Sequence, residues 1–322
     1  MAVNVSRFHE RFTYQARAPV PALLEDLEVL SRLDARAEGQ RRVLSRAGGT
    51  AAILGGALAL LCRQVWAGAV DPTEGLGVIS GAILITGGVG GAAFVVGIGL
   101  LVWRALLRKR DLDNRRYDLA RVLLQRLQVD LAPKAPVRLK LDLRAPDEPD
   151  KHAGQGMVGE WSTEFFVDPW FSLETRLADG TFVRIRMVER FQKRKRTRTT
   201  VSFLRIQRKT KGKHKSCAVL DVSARVKPER YPGLEQLKAR ATGAVRLPPR
   251  VQLSRVRLAA DRLSLRARLS GEWVARAERA EALEKEDASR TATMMLLSLY
   301  QVLGYARRRA KRQAARGRLE PV

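Results

Sequence analysis

Between Leu76 and Trp103 the chain runs for 28 residues without one ionisable side chain. A helix rises about 1.5 Å per residue and needs about 20 mainly apolar residues to cross the hydrocarbon core of a bilayer, so this run predicts a membrane-spanning helix. A shorter apolar stretch, Ala47–Cys62, offers 16 uninterrupted residues, and reading on through Arg63 to Val70 gives 24. Arg63 then lies about two turns from the helix end, where its stem lets the guanidinium snorkel to the headgroups; a pore or relay charge is the competing reading. Asp71-Pro72-Thr73-Glu74-Gly75 is turn chemistry between the two stretches. Together they predict a two-helix transmembrane hairpin, with spans at about 47–68 and 78–103, in which Trp66 and Trp103 take interfacial positions.

On either side of these spans the period stays helical. Residues 1–18 read as irregular, and Pro21 opens a helix that carries Glu25 and Asp26 near its positive end. Leu23, Leu27, Leu30, Ala37 and Leu44 make a narrow apolar seam, broken by Asp34 and Arg41, that runs into the first span. After the second span Arg104–Leu131 keeps helical spacing, with Leu112, Leu119, Leu123 and Leu127 along one side, until Pro133 and Pro136 stop it. The two juxtamembrane helices are expected to pair antiparallel as a helical cytosolic stalk.

From Val137 the pattern switches to strict alternation: Val137, Leu139, Leu141 and Leu143 on one side, Arg138, Lys140, Asp142 and Arg144 on the other. Phe171–Leu177 and Phe182–Val188 flank Asp179-Gly180, which predicts a hairpin with a type I′ turn. Further strands are expected at Val201–Arg208, Ser216–Val226, Val251–Leu258 and Arg262–Leu269, with a short helix over Tyr231–Gly243 and a closing helix from about Ala288 to Arg312. The uncharged run Thr291–Ala306, at 16 residues, is short for a third span and is expected to cover the sheet. The expected class is α+β: a transmembrane hairpin, a helical stalk, and an antiparallel β-sheet domain covered by helices. The divisions are residues 1–46, a cytosolic segment with a juxtamembrane helix; 47–103, the hairpin; 104–132, the second juxtamembrane helix; and 133–322, a basic cytosolic domain.

Charge gives this architecture an orientation. Arg32, Arg36, Arg41, Arg42 and Arg46 precede the first span and Arg104, Arg108, Lys109, Arg110, Arg115 and Arg116 follow the second, against Arg63 alone between them. By the positive-inside rule both termini lie in the cytoplasm of a multi-pass protein of the cell's inner membrane, with only the small turn on the far side. No apolar core stands behind a basic start in the first 46 residues, so cleavage of a secretory signal is not expected. The formal net charge is +27, from 60 basic and 33 acidic residues, and 46 of the basic residues are arginine. Such a chain is drawn to polyanions, although an arginine-rich composition from a GC-rich genome accounts for the skew equally well. Cys62 and Cys217 fall in separate segments, which leaves no disulfide framework.

Candidate chemistry follows from the phase of the charges. Arg184 and Arg186, Arg255 and Arg257, and Arg266 and Arg268 each alternate with apolar residues, so together with Arg138 and Lys140 they are expected to project from the open face of one sheet. Arg194 and Arg196, in the run Lys193–Arg196, and Lys211 and Lys213, in the run Lys209–Lys215, are expected to reinforce that face from loops. Between Thr181 and Lys227 there are 16 basic and two acidic residues, a net of +14. Anionic lipid headgroups, an acidic protein and nucleic acid all fit such a face, and Phe182 and Phe203 share the phase of Arg184 and Arg205 as a stacking platform requires. In the spans, Gly77 and Gly81, and Gly87 and Gly91, have the spacing that lets helices approach closely, within the hairpin or in a homo-oligomer.

No catalytic, metal or cofactor motif accompanies these features. Five aromatics between Trp161 and Phe171 read as core, and Glu160, Glu164, Asp168 and Glu189, amid so much arginine, read as ion-paired rather than as an acid–base pair. His9, His152 and His214 lie in unrelated segments, and Gly212–Ser216 lacks the glycines of a phosphate loop. The expected function is a non-enzymatic scaffold or accessory role for a bilayer-embedded protein whose basic domain binds an anionic surface or acidic partner. A membrane-tethered enzyme for an anionic or phosphorylated substrate, or a tethered nucleic-acid-binding protein, is the alternative.

Overall fold

A computed structural model describes residues 8, 11–68, 76–107, 112–202, 205–278 and 284–317. The turn Asp71–Gly75, the basic residues Arg108, Lys109 and Arg110, and Phe203 lie outside the described residues, as do the side chains at Trp66, Gly77 and Gly81. In chain order the elements are β1 (Thr13–Ala18), α1 (Val20–Gly68), α2 (Leu76–Leu107), α3 (Asn114–Leu127), β2 (Val137–Asp142), β3 (His152–Val158), β4 (Trp161–Arg176), β5 (Phe182–Ser202), β6 (Arg205–Arg225), α4 (Lys238–Ala244), β7 (Gln252–Ala259), β8 (Arg262–Ser270) and α5 (Ala288–Gly317). The chain is α+β and forms two compact units, one of residues 1–28 with 113–322 and one of residues 29–112.

The second unit holds α1 from Val29 onward and α2, and both helices are long and apolar enough to cross a membrane. They run antiparallel along a seam of small residues. A Cβ placed on Gly55 would stand 2.6 Å from the Gly90 carbonyl oxygen, one on Gly97 would stand 2.8 Å from that of Gly48, and one on Gly87 would meet the Cys62 Cβ at 3.4 Å. The contacts recur at Gly48, Ala52, Gly55, Ala59 and Cys62, steps of four and three that keep one stripe of a helix against its neighbour. Gly87 therefore belongs to the seam, whereas Gly91 has open space about it and lies off the contact stripe. The close approaches at Gly48, Gly55, Gly90 and Gly97 follow a 3.5-residue period, which a search for glycines four apart does not find.

The first unit is one eight-stranded antiparallel sheet in the order β1-β2-β4-β5-β6-β8-β7, with β3 paired to the start of β4. Its inner face alternates as the sequence predicts: Val183, Ile185 and Met187 on β5, Leu220 and Val222 on β6, and Leu263, Leu265 and Leu269 on β8 are all buried. Against them packs α5, which buries Met295, Leu299 and Leu303 and takes the covering role expected for the terminal helix, and α3, in contact with α5, buries Leu119, Leu123 and Leu127.

Five expectations are corrected. Residues 13–18 form an edge strand rather than irregular chain, because β1 pairs with β2 throughout (Tyr14 opposite Leu141, Ala16 opposite Leu139). Tyr14 also donates a hydrogen bond to Asp26 of α1 at 2.9 Å. The helix expected over Arg104–Leu131 is divided, since Asp113 has extended backbone and caps a new helix by accepting from the Arg115 N–H at 3.1 Å. With Leu119, Leu123 and Leu124 buried against the sheet, α3 is a core helix and not half of a stalk. The Asp179-Gly180 turn is present, but only Gly180 has positive φ (+85°). Gly180 donates to the Leu177 carbonyl and Leu177 donates to that of Thr181, so this is a three-residue loop with a glycine bulge rather than type I′. Finally, the basic runs at 193–196 and 209–215 are not loops, because β5 and β6 are 21-residue strands paired from Phe182–Arg225 to Ser202–Arg205.

Candidate anion-binding face

The outer face of the sheet is built from register. Reading across the strands, Arg17, Arg138, Glu174, Arg184, Ser223, Ser264 and Arg257 are successive partners, and the next row is Gln15, Lys140, Ser172, Arg186, Asp221, Arg266 and Arg255. Side chains directly opposite share a face, so eight of the expected residues, Arg138, Lys140, Arg184, Arg186, Arg255, Arg257, Arg266 and Arg268, stand on one surface. A depression of about 190 Å³ lies among Arg184, Arg186, Arg255, Arg257 and Arg266. Arg225 and Arg262 complete its wall and were not singled out from the sequence. The alternation that marked Arg266 and Arg268 extends back to Arg262 and carried the signal. Arg17 was missed with β1.

Carboxylates compensate only part of this charge. Arg184 pairs with Glu174 at 2.8 Å, Arg266 with Asp221 at 2.7 Å, and Arg225 with Asp261 at 2.9 Å. Among the described residues none reaches Arg186, Arg255, Arg257 or Arg262, which leaves four uncompensated guanidiniums round one depression. Ser223 and Ser264 line it as well. Guanidinium forks and hydroxyls are donors, and oxyanions such as phosphate or carboxylate are what they fit.

The remaining four expected residues lie on the hairpin of β5 and β6. β4 accompanies β5 only to Lys195, and β8 accompanies β6 only from Cys217, so beyond those points the hairpin is a two-stranded ribbon. Arg194, still beside β4, faces Lys213, and on the ribbon Arg196 faces Lys211 and Arg198 faces Lys209, all in phase with Arg184 and Arg186. Like charges directly opposite one another weaken a strand pair. Of these residues Arg196 reaches a carboxylate, that of Glu160. From Lys193 to Lys215 there are 11 basic and no acidic residues.

The inner face handles charge in the opposite way. A bulge at Pro169-Trp170 shifts the phase of β4, so that Asp168 faces inward before it and Trp170 and Phe171 are both buried after it. Arg116 of α3, 1 % exposed, pairs with Asp168 at 2.8 Å and Glu189 at 3.0 Å, donates to the Asp142 carbonyl at 2.8 Å, and lies over the Trp170 ring. Trp170 stacks on Trp273, and Arg115 covers the latter. Lys151 closes the cluster on Asp168 at 3.0 Å and Asp142 at 3.4 Å. Burial pushes Asp168 and Glu189 above the usual carboxylate range, opposed by Arg116 in both cases. Burial also pushes on Asp142, but hydrogen bonds and ion pairs from Arg144 and Lys151 outweigh it and hold that carboxyl below its ordinary value. The expectation that the carboxylates are ion-paired holds for Glu160, Asp168 and Glu189. The cation shared by Asp168 and Glu189, Arg116, was missed because it stands on α3 while its partners come from β2, β4 and β5.

Among the described residues no three His, Cys, Asp or Glu side chains are grouped as a metal ion requires. Comparison with protein-family models, curated proteins and solved structures finds no match for this chain.

Proposed function

We propose that the protein is a two-span integral membrane protein, with both termini on the cytoplasmic side of an inner membrane, whose basic sheet face binds a polyanionic surface or acidic partner in a non-enzymatic, scaffolding role. What supports the embedding is the exposure of the apolar helices. In the most apolar 18-residue window of each, 11 % is buried, and Ile53, Leu54 and Ile85 are 72, 70 and 71 % exposed. A core helix of a water-soluble protein buries such residues, whereas a bilayer solvates them. The arginines flanking both helices support the orientation.

The observation that carries the binding reading is the uncompensated, in-phase rows of arginine across the outer face. Against the enzyme reading, Asp168 and Glu189, whose pKa burial raises, are locked to Arg116 in the core, and neither they nor Asp118, the other carboxyl raised by burial, lines the basic depression. The test is full-length protein in neutral nanodiscs, titrated with acidic vesicles, polyphosphate and duplex DNA over a salt series. Binding that weakens steeply with salt, and weakens further when Arg186, Arg255, Arg257 and Arg262 become Gln, is the expected result. Equal and negligible binding to all three probes would reduce the charge to composition.

A further inference from the structure

We infer that a cleft at the charged end of the α1–α2 seam is a headgroup site for an anionic phospholipid. The site is separate from the sheet face and rests on the membrane reading given above. At Gly48 the helix backbones approach closely, with a Cβ there standing 3.1 Å from the Gly97 carbonyl oxygen. Just beyond, toward the arginine-rich flanks, they leave an open cleft of about 600 Å³ between Arg41, Arg42, Ser45 and Arg46 of α1 and Leu101 and Arg104 of α2.

Three features point to a phospholipid. The first is charge: the lining holds Arg41, Arg42, Arg46 and Arg104 against one carboxylate, Glu38, which pairs with Arg42 at 2.9 Å, and among the described residues no carboxylate reaches Arg46 or Arg104. The second is depth. Arg46 immediately precedes the apolar stretch that opens at Ala47, and Arg104 immediately follows the one that closes at Trp103, so both stand at the level where phosphates of a bilayer lie. The third is an apolar flank. On the hydrocarbon side of Arg104, Val102 and Ile98 are 55 and 43 % exposed and offer acyl chains a surface below the cationic one. A soluble phosphate needs only the first feature, and a lipid uses all three. Arg46 and Arg104 carry two positive charges against the single negative charge of one phosphodiester, so a headgroup with two phosphates is bound in preference to one.

The test uses full-length protein in neutral detergent, with native mass spectrometry of retained lipid and the thermal midpoint as readouts. The probes are cardiolipin, phosphatidylglycerol, phosphatidylcholine and inorganic phosphate. Retention and stabilisation should follow the order two phosphates, one phosphate, zwitterion, with no effect of inorganic phosphate at the same concentration. R46Q/R104Q should weaken cardiolipin binding about tenfold or more. R46K/R104K should largely restore it. Headgroup-independent retention, an equal effect of inorganic phosphate, or cardiolipin retention that R46Q/R104Q leaves at the wild-type level would overturn the site alone. Recovery of the wild-type protein in the soluble fraction after a carbonate wash would overturn the membrane reading and the site with it.

Discussion

The two faces of the sheet treat arginine in opposite ways. On the inner face Arg116 is surrounded: two carboxylates, a backbone carbonyl and a tryptophan ring take up its charge and its donors. On the outer face Arg186, Arg255, Arg257 and Arg262 stand in ranks with no carboxylate in reach among the described residues. Desolvation explains the difference. A buried guanidinium is tolerated only when fully paired, whereas one in water costs the fold almost nothing and stays available to a ligand. Charge that the fold needs is therefore hidden and neutralised, and charge that it does not need is displayed.

Substitutions separate the two faces most sharply through Arg116. R116A leaves Asp168 and Glu189 buried without their shared cation and should cost about 3–5 kcal/mol, read from unfolding of the full-length protein in detergent. R186A should stay within about 0.5 kcal/mol of wild type in the same measurement. Equal losses would erase the contrast. On the binding side, R186Q/R255Q/R257Q/R262Q removes four charges that contribute about 1 kcal/mol each near an anionic surface, so affinity for acidic vesicles should fall about 10³-fold with little change in thermal midpoint. For duplex DNA the salt slope should drop by about 0.9 for each arginine that met a phosphate.

Smaller effects test the ribbon and the pairing. K213E places a carboxylate opposite Arg194 and replaces a like-charge pair by an ion pair, which should steady the ribbon by up to about 1 kcal/mol, seen as slower amide exchange, while polyanion binding weakens. A ribbon that loosens instead would mean that its lysines hold it together. The smallest effect is acidic. Because Asp142 is held below its ordinary value, its contribution is complete above about pH 4 and is lost as pH falls through the lower folded value. R144Q should shrink that acid-side loss by less than about 1 kcal/mol in unfolding followed from pH 5 to pH 2. Asp168 and Glu189 act with the opposite sign. Their raised values mean that the folded state holds more protons between the ordinary and the raised value, so their contribution weakens as pH rises through that window.

Much of this arrangement is legible in the chain. The alternation at Val183–Met187 and Leu263–Leu269 gives both strands and the side on which their arginines stand, because side chains two apart share a face of a pleated sheet. Strand length was less legible. Lys193–Arg198 and Lys209–Lys215 carry no apolar alternation, since a free ribbon has no core to mark, and they read as loops although they are paired throughout. β1 was hidden for a related reason: Tyr14 and Ala18 are buried but Ala16 only half so, which is too weak a pattern for six edge residues. The glycine seam escaped because a spacing of four is the familiar signature and this seam alternates three with four.

By itself the sequence determined the two apolar helices, the alternating strands and the phase of their arginines, all of which follow from local periodicity and from the length of chain a helix or bilayer demands. Tertiary structure decided the rest. Register between strands distant in sequence set the rows of arginine side by side, the bulge at Pro169-Trp170 turned Asp168 inward, and the docking of α3 brought Arg116 to it. The physical reason is that pairing partners and charge neutralisation depend on which strands lie adjacent, and that is a property of the whole chain's packing rather than of any window along it.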